Sequence, residues 1–383
     1  MKRLPPELVH GVTQFCDTSD RLNCSRVSKA WRNNVNWSLD DWRGQLYYAC
    51  EVGDFKIVER LVMRRTFNPV RDSKALLIAN DFGHTRIVSY LIYHAKIDPS
   101  VKNDDAIKSA SENGHVEIVK LLLKDSRVNP AADNNYAILR ASENGHVEIV
   151  KLLLNDSRVN PAADNNYAIM MASRHGHAEV VKLLLNDPRV NPIAGERWKT
   201  PFFLAVKWGH TKVVQVLLND PRVDPAAFGN RAIQTASANG WHDIVQILLT
   251  YPQVNPAVMY NLPILWASEH GHTEVVKLLL NDPRVNPGAN QSHAIRKASK
   301  NGHAEVVKLL LKHRRVNPAA KSNSAIRKAS RNGHARVVRL LLDDPRVSPT
   351  AEDNDAYTMA RLSGHVEVVQ MLLDDPRVYR NYL

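Results

Sequence analysis

Tyr136-Ala-Ile-Leu-Arg-Ala-Ser-Glu-Asn-Gly145-His-Val-Glu-Ile-Val-Lys-Leu-Leu-Leu-Asn155 decides the architecture of this chain. Gly145 separates two short segments whose apolar residues fall at helical spacing. The same pattern surrounds Gly53, Gly83, Gly114, Gly176, Gly209, Gly240, Gly271, Gly302, Gly333 and Gly364. Successive glycines are 30 or 31 residues apart, except for the 33-residue step from Gly176 to Gly209. His follows directly in nine of the eleven copies, from His84 to His365, and near-copies of the Val147 to Leu154 run come next. A period this strict implies one helical unit per copy, stacked on its neighbours.

Working outward from Gly145, Ala stands four residues before the turn glycine in every copy, from Ala49 to Ala360. An apolar residue stands seven before it, such as Leu46, Ile138, Phe202 or Tyr357. At 100° per residue the two slots share one helix face, and the small Ala permits close approach of a second helix. The following helix is apolar nearly all round, as expected when neighbours cover both sides. Between pairs runs a segment like Asn186-Asp-Pro-Arg-Val-Asn-Pro-Ile-Ala194, where two prolines exclude helix and suit an extended turn. Asn, Asp or Ser stands ten before the glycine in nine copies (Asp104, Asn135, Asn166, Ser292 and Asn323 among them), a position expected to cap the first helix. In the 33-residue copy Thr200 and Pro201 take over that start.

Thr200-Pro-Phe-Phe-Leu-Ala205 resembles the Thr-Pro-Leu-His-Leu-Ala opening of an ankyrin repeat. The Gly302-His-Ala-Glu-Val-Val-Lys-Leu-Leu-Leu311 run resembles that family's second helix. The resemblance covers residues 44–383. It implies an all-α solenoid of about eleven stacked helix pairs, mostly 31 residues each, joined by short hairpins or loops. Most copies are two residues shorter between helices than the family pattern, and few keep the Thr-Pro pair.

The 383 residues carry a formal charge of +12. Many of the cations recur in fixed slots, such as the Arg of Pro-Arg-Val, and read as solvated surface copied with the scaffold. Residues 111–136 and 142–167 differ only at Lys124 against Asn155, so duplication multiplies charge. No apolar run is long enough for a membrane span, and the first residues lack a signal-peptide core. Cys16, Cys24 and Cys50 form no disulfide framework. An intracellular location, in cytoplasm or nucleus, is expected.

The repeat does not extend before Gly44. Leu8, Val12 and Phe15 fall at helical spacing after Leu4-Pro-Pro-Glu, and a second amphipathic stretch runs through Leu22, Cys24, Val27 and Trp31. Residues 1–43 therefore read as a small helical head, too small for much stability without a covering partner or the first repeat. The Leu4-Pro-Pro-Glu-Leu8 opening and Cys24-Ser-Arg-Val-Ser-Lys-Ala-Trp-Arg32 resemble an F-box. That family docks on the Skp-type adaptor of a cullin–RING ubiquitin ligase. Carried over, Leu4, Pro5, Leu8, Val12, Leu22, Val27 and Trp31 are the contact or packing residues. Gly11, Thr13 and Cys16 depart from the apolar residues commoner there. The alternative is a cap that only shields the first repeat.

No catalytic, cofactor or metal site is expected. Of sixteen His, nine follow the turn glycine and His242 lies one place later, which marks them as turn residues. His10, His94, His175, His270, His293 and His313 show no ligand spacing. Phosphate-cradling Gly loops, Gly-x-Ser-x-Gly elbows and paired zinc cysteines are absent from the sequence.

Recognition is then expected where copies differ. Arg296, Lys297, Lys300, Arg327, Lys328 and Arg331 form a basic ladder on the first-helix face of two adjacent copies, suited to an acidic or phosphorylated segment. The other reading is an ordinary solvated face. Trp198, Trp208, Phe228, Tyr260 and Trp266 replace mostly small or polar residues in turn and outer-helix slots, as an interface hot spot would. In ankyrin proteins such slots line the concave binding face. Repacking around the two-residue insertion is the alternative for Trp198 and Phe203.

The expected function is substrate recognition for an SCF-type ubiquitin ligase, the head binding the adaptor and the concave face an unknown protein substrate. A non-catalytic scaffold or sequestering protein with a capping head is the alternative. Nucleic-acid binding through the ladder is disfavoured because no nucleic-acid module is recognisable.

Overall fold

In a computed structural model of the chain, residues 42–64, 68 and 72–379 are described. Two compact units are present, residues 1–101 and 102–383. The described residues are helical, without strands. In the first unit, Trp42–Val52 pairs with Phe55–Arg64 and Lys74–Asp81 with Thr85–Tyr93. The second unit repeats such pairs, for example Ala132–Glu143 with Val147–Leu154 and Ala289–Lys300 with Ala304–Leu311. From Ala132 onward, first helices pack on first helices and second on second.

The invariant slots carry the stack. Ala is fully buried four before the glycine in all eleven copies, from Ala49 to Ala360. Leu46, Leu76, Ile107, Ile138 and their counterparts to Ile326 form the adjoining core, Phe202 substituting in the long copy. On the second helix Ile149, Val150 and Leu153 are buried, whereas Glu148 and Lys151 are exposed. Cys50 is buried, which pushes its thiol up to about 12 and removes it as a nucleophile.

Turn glycine and turn histidine are one device. The glycine adopts φ of +74° to +85°, which L side chains resist. A Cβ on Gly114 would sit 2.7 Å from Cε1 of His146 in the next copy. His146 Nε2 lies 3.0 Å from the carbonyl oxygen of Glu112, near the end of the preceding first helix. His84, His177, His210, His272, His303, His334 and His365 repeat that bond. Trp241 covers Gly209 where the histidine is missing.

Two expectations about the connections require correction. The Asn, Asp or Ser ten before the glycine does not cap its own helix. Asn135 Oδ1 accepts the backbone N–H of Asn160, 25 residues on, at 2.7 Å, and Asp104, Asn166, Asn230, Asn261, Ser292 and Asn323 do the same for their successors. Among the described residues, Thr200 alone caps as expected, accepting the Phe203 N–H at 3.3 Å.

The Arg of the connecting segment is not idle surface charge. Arg158 forks onto Asp156 and donates through Nη1 to the Val128 carbonyl of the preceding copy at 2.8 Å. Arg189, Arg222, Arg284, Arg315, Arg346 and Arg377 make the same cross-repeat bond. Each contributes on the order of 1 kcal/mol after allowance for solvent.

Eight of the short connections end in three consecutive left-handed residues, as at Asp133 (φ 53°), Asn134 (56°) and Asn135 (66°). Short Asn and Asp side chains tolerate this conformation. The left-handed turn replaces the longer connection. The 33-residue copy instead uses Gly195 (φ 106°) and a 3-10 turn, Arg197–Lys199, ahead of Pro201–Trp208.

Candidate partner-binding surface

The aromatic residues singled out from the sequence meet different fates. Tyr260 is 85% exposed, and Trp198, Trp208 and Phe228 are each close to half exposed (46%, 48% and 48%). Trp266 is half-buried, whereas Phe203 has gone into the core. Trp198, lifted by the 3-10 turn, links several of them. Its ring centroid is 5.9 Å from that of Phe203 and 6.1 Å from that of Phe228. The Arg231 guanidinium lies 5.2 Å from the Trp198 centroid and 5.8 Å from that of Trp266. Arg174 and Lys207 flank Trp208 at 5.6 and 5.8 Å. Sequence reasoning missed Arg231 because a lone Arg in a variable slot carries no signal until the two indoles are placed beside it.

The basic ladder is less uniform than its spacing implies. Arg296 does not belong to the exposed face. It is 6% exposed, and its Nε and Nη2 donate to the carbonyls of Gln291 (3.0 Å) and Asn290 (3.2 Å), bracing the left-handed turn. Lys297 pairs with Glu269 and Arg327 with Asp355, both at 2.6 Å. Lys328 is half-buried, and burial first, then the charges of Arg296, Lys300 and Lys297, hold its amine below the usual range. Lys300 and Arg331 are exposed. In the equivalent region of earlier copies Arg140 is held by Glu143 at 2.7 Å.

Leu4, Pro5, Leu8, Val12, Leu22, Val27 and Trp31 lie outside the described residues, as do Tyr382, Leu383 and the side chain of Tyr379 at the other end of the chain. Leu362 and Val366 at that end are exposed.

The family comparison agrees with this stack of helix pairs. The family model for ankyrin repeats, in sets of three copies, matches residues 46–135, 138–227, 202–291, 264–353 and 295–381. The chain belongs to the ankyrin-repeat family. This ankyrin-repeat chain also carries an F-box at its N-terminus, where the F-box domain model matches residues 1–42. No curated protein matches it. Both parts are non-catalytic interaction modules, and the combination supports a role in protein interaction. Among the described residues no helix is long and apolar enough to cross a membrane.

Proposed function

We propose that this chain is the substrate-recognition subunit of an SCF-type cullin–RING ubiquitin ligase, working inside the cell. The observation that carries the reading is the order of modules, an F-box over residues 1–42 followed directly by ankyrin repeats from residue 46. Residues 1–43 form the adaptor-binding part, with Leu4, Pro5, Leu8, Val12, Leu22, Val27 and Trp31 at the contact or in its packing. Residues 44–383 hold a protein substrate through Trp198, Trp208, Phe228, Tyr260 and Trp266. Lys300, Lys328 and Arg331 remain available for acidic or phosphorylated groups, because Arg296, Lys297 and Arg327 already have partners. The chain performs no bond chemistry; it brings a substrate to a transferase. Co-expression with a Skp-type adaptor tests this. The intact chain should retain the adaptor, and a chain lacking residues 1–43 should lose it while keeping the repeats folded. Lower stability upon deletion with no adaptor retained by either form would instead identify the head as a cap.

A further inference from the structure

The 33-residue copy departs from the others in length, and the departure builds a site. In the shorter copies a left-handed turn fills this place; here the 3-10 turn sets half-exposed Trp198 against Phe203 and Phe228, which line an open cleft. The cleft holds about 240 Å³ and is lined by Ile193, Phe202, Phe203, Val223, Phe228 and Ala232. That is below the roughly 300 Å³ at which small-molecule sites begin, but it admits one large apolar side chain. Ile193 and Phe228 remain exposed at its mouth.

Beside the cleft stands an unneutralised cation. Arg231 is half-buried near two indoles, and its Nε is buried without a hydrogen bond. Nη1 has only a long 3.4 Å bond to Gln234, whose own amide is committed to the Gly229 carbonyl. No carboxylate among the described residues pairs with Arg231, Arg174 or Lys207, in contrast to Arg140. Asp224, the acidic residue in the cleft lining, is engaged by the Ala226 N–H at 2.9 Å. A guanidinium placed over aromatic rings without a carboxylate partner keeps donors for an incoming carboxylate.

We propose that this cleft binds a partner segment in which one large aliphatic or aromatic side chain is followed or preceded closely by Asp or Glu. The apolar side chain enters between Ile193 and Phe228, and the carboxylate meets Arg231 across Trp198. Arg231 adjoins Ala232 of the cleft lining, and an extended peptide advances about 3.3 Å per residue, so a spacing of about three residues joins the two. The inference rests on the concave face being the substrate-binding face and states which chemistry it selects.

The test is selection of random dodecapeptides, displayed on phage, against the immobilised full chain. Enriched peptides should pair a Leu, Ile, Met or Phe with an acidic residue at about that spacing. An enriched peptide, synthesised, should bind Arg231→Gln roughly tenfold or more weakly, the scale of one lost charge-assisted contact. Replacing its acidic residue by Ser should cost the wild-type chain the same factor and the Arg231→Gln chain nothing. Phe228→Asn, a residue type that other copies carry in left-handed turns, should lose the apolar preference and retain the acidic one. No enrichment, or affinity indifferent to both substitutions, overturns the proposal. Adaptor retention by the same variants separates the two claims. Selection without adaptor binding leaves the cleft and removes the ligase, whereas adaptor binding without selection does the reverse.

Discussion

The imidazole of His146 occupies the space that a side chain on Gly114 would need, with Cε1 2.7 Å from an ideal Cβ position there. Each copy thus reads the turn of the copy before it, and the ring is tied by its Nε2 to the Glu112 carbonyl. Period, turn conformation and interface are one constraint.

Gly145→Ala should therefore be costly for two reasons, the φ of +77° and a clash of the added Cβ with Nδ1 of His177. A loss of about 2–4 kcal/mol is expected from left-handed strain together with overpacking. His177→Ala should cost about 1–2 kcal/mol. The double variant should be less destabilised than the sum by about 1 kcal/mol or more, because the clash disappears with the ring. Urea unfolding of the four proteins measures this, and strictly additive losses would contradict the interlock.

Left-handed turns allow a cleaner reading of backbone strain at Gly229 (φ 66°), where an added Cβ meets nothing within 4 Å. Gly229→Ala should cost about 1 kcal/mol from conformation alone. Exposed Met259 holds φ 49° with an ordinary side chain. Met259→Gly should leave stability unchanged or raise it.

The buried Asn ladder predicts an asymmetry between substitutions. Asn166→Ala strands the Asn191 N–H, bonded at 2.7 Å, and should lower stability by about 1–3 kcal/mol. Asn166→Asp retains an acceptor, as Asp104 does naturally, and should cost less. Thermal unfolding of the two variants distinguishes them.

Acid should weaken the stack in two steps. Burial first, and then neighbouring histidines, hold His177 and His272 below their ordinary value of 6.5, so the folded state prefers them neutral. Their contribution is present above pH 6.5 and is lost as pH falls from there through the folded values. The aspartates Asp156, Asp187, Asp220 and Asp344 are held below 3.8 chiefly by hydrogen bonds from Arg158, Arg189, Arg222 and Arg346. Their contribution persists above 3.8 and disappears as pH falls through still lower values. Melting temperature against pH should bend in both windows, and the first bend should shrink in His177→Gln with His272→Gln.

The helix pairs were legible in the sequence because Ala141 and Ile138 recur in a fixed register that only stacking explains. Duplicated charge was misread. Arg158 looks like solvated surface in one copy, and its bond to Val128 becomes visible only when two copies are laid side by side. Asn135 misled for a related reason. Its slot precedes a helix, but three left-handed residues turn its side chain toward the following connection. Arg296 could not be separated from Lys300 by spacing, since only the turn geometry shows which of them is consumed by carbonyls.

The role proposed for the whole chain is most directly tested at its N-terminus. Leu4→Ala combined with Trp31→Ala is introduced into the full chain, and Skp-type adaptor recovered with it is quantified, with far-UV circular dichroism reporting the repeats. Recovery should fall by roughly tenfold or more, as for loss of two central apolar contacts, with helical content unchanged. Undiminished adaptor recovery would contradict the F-box role and with it the ligase.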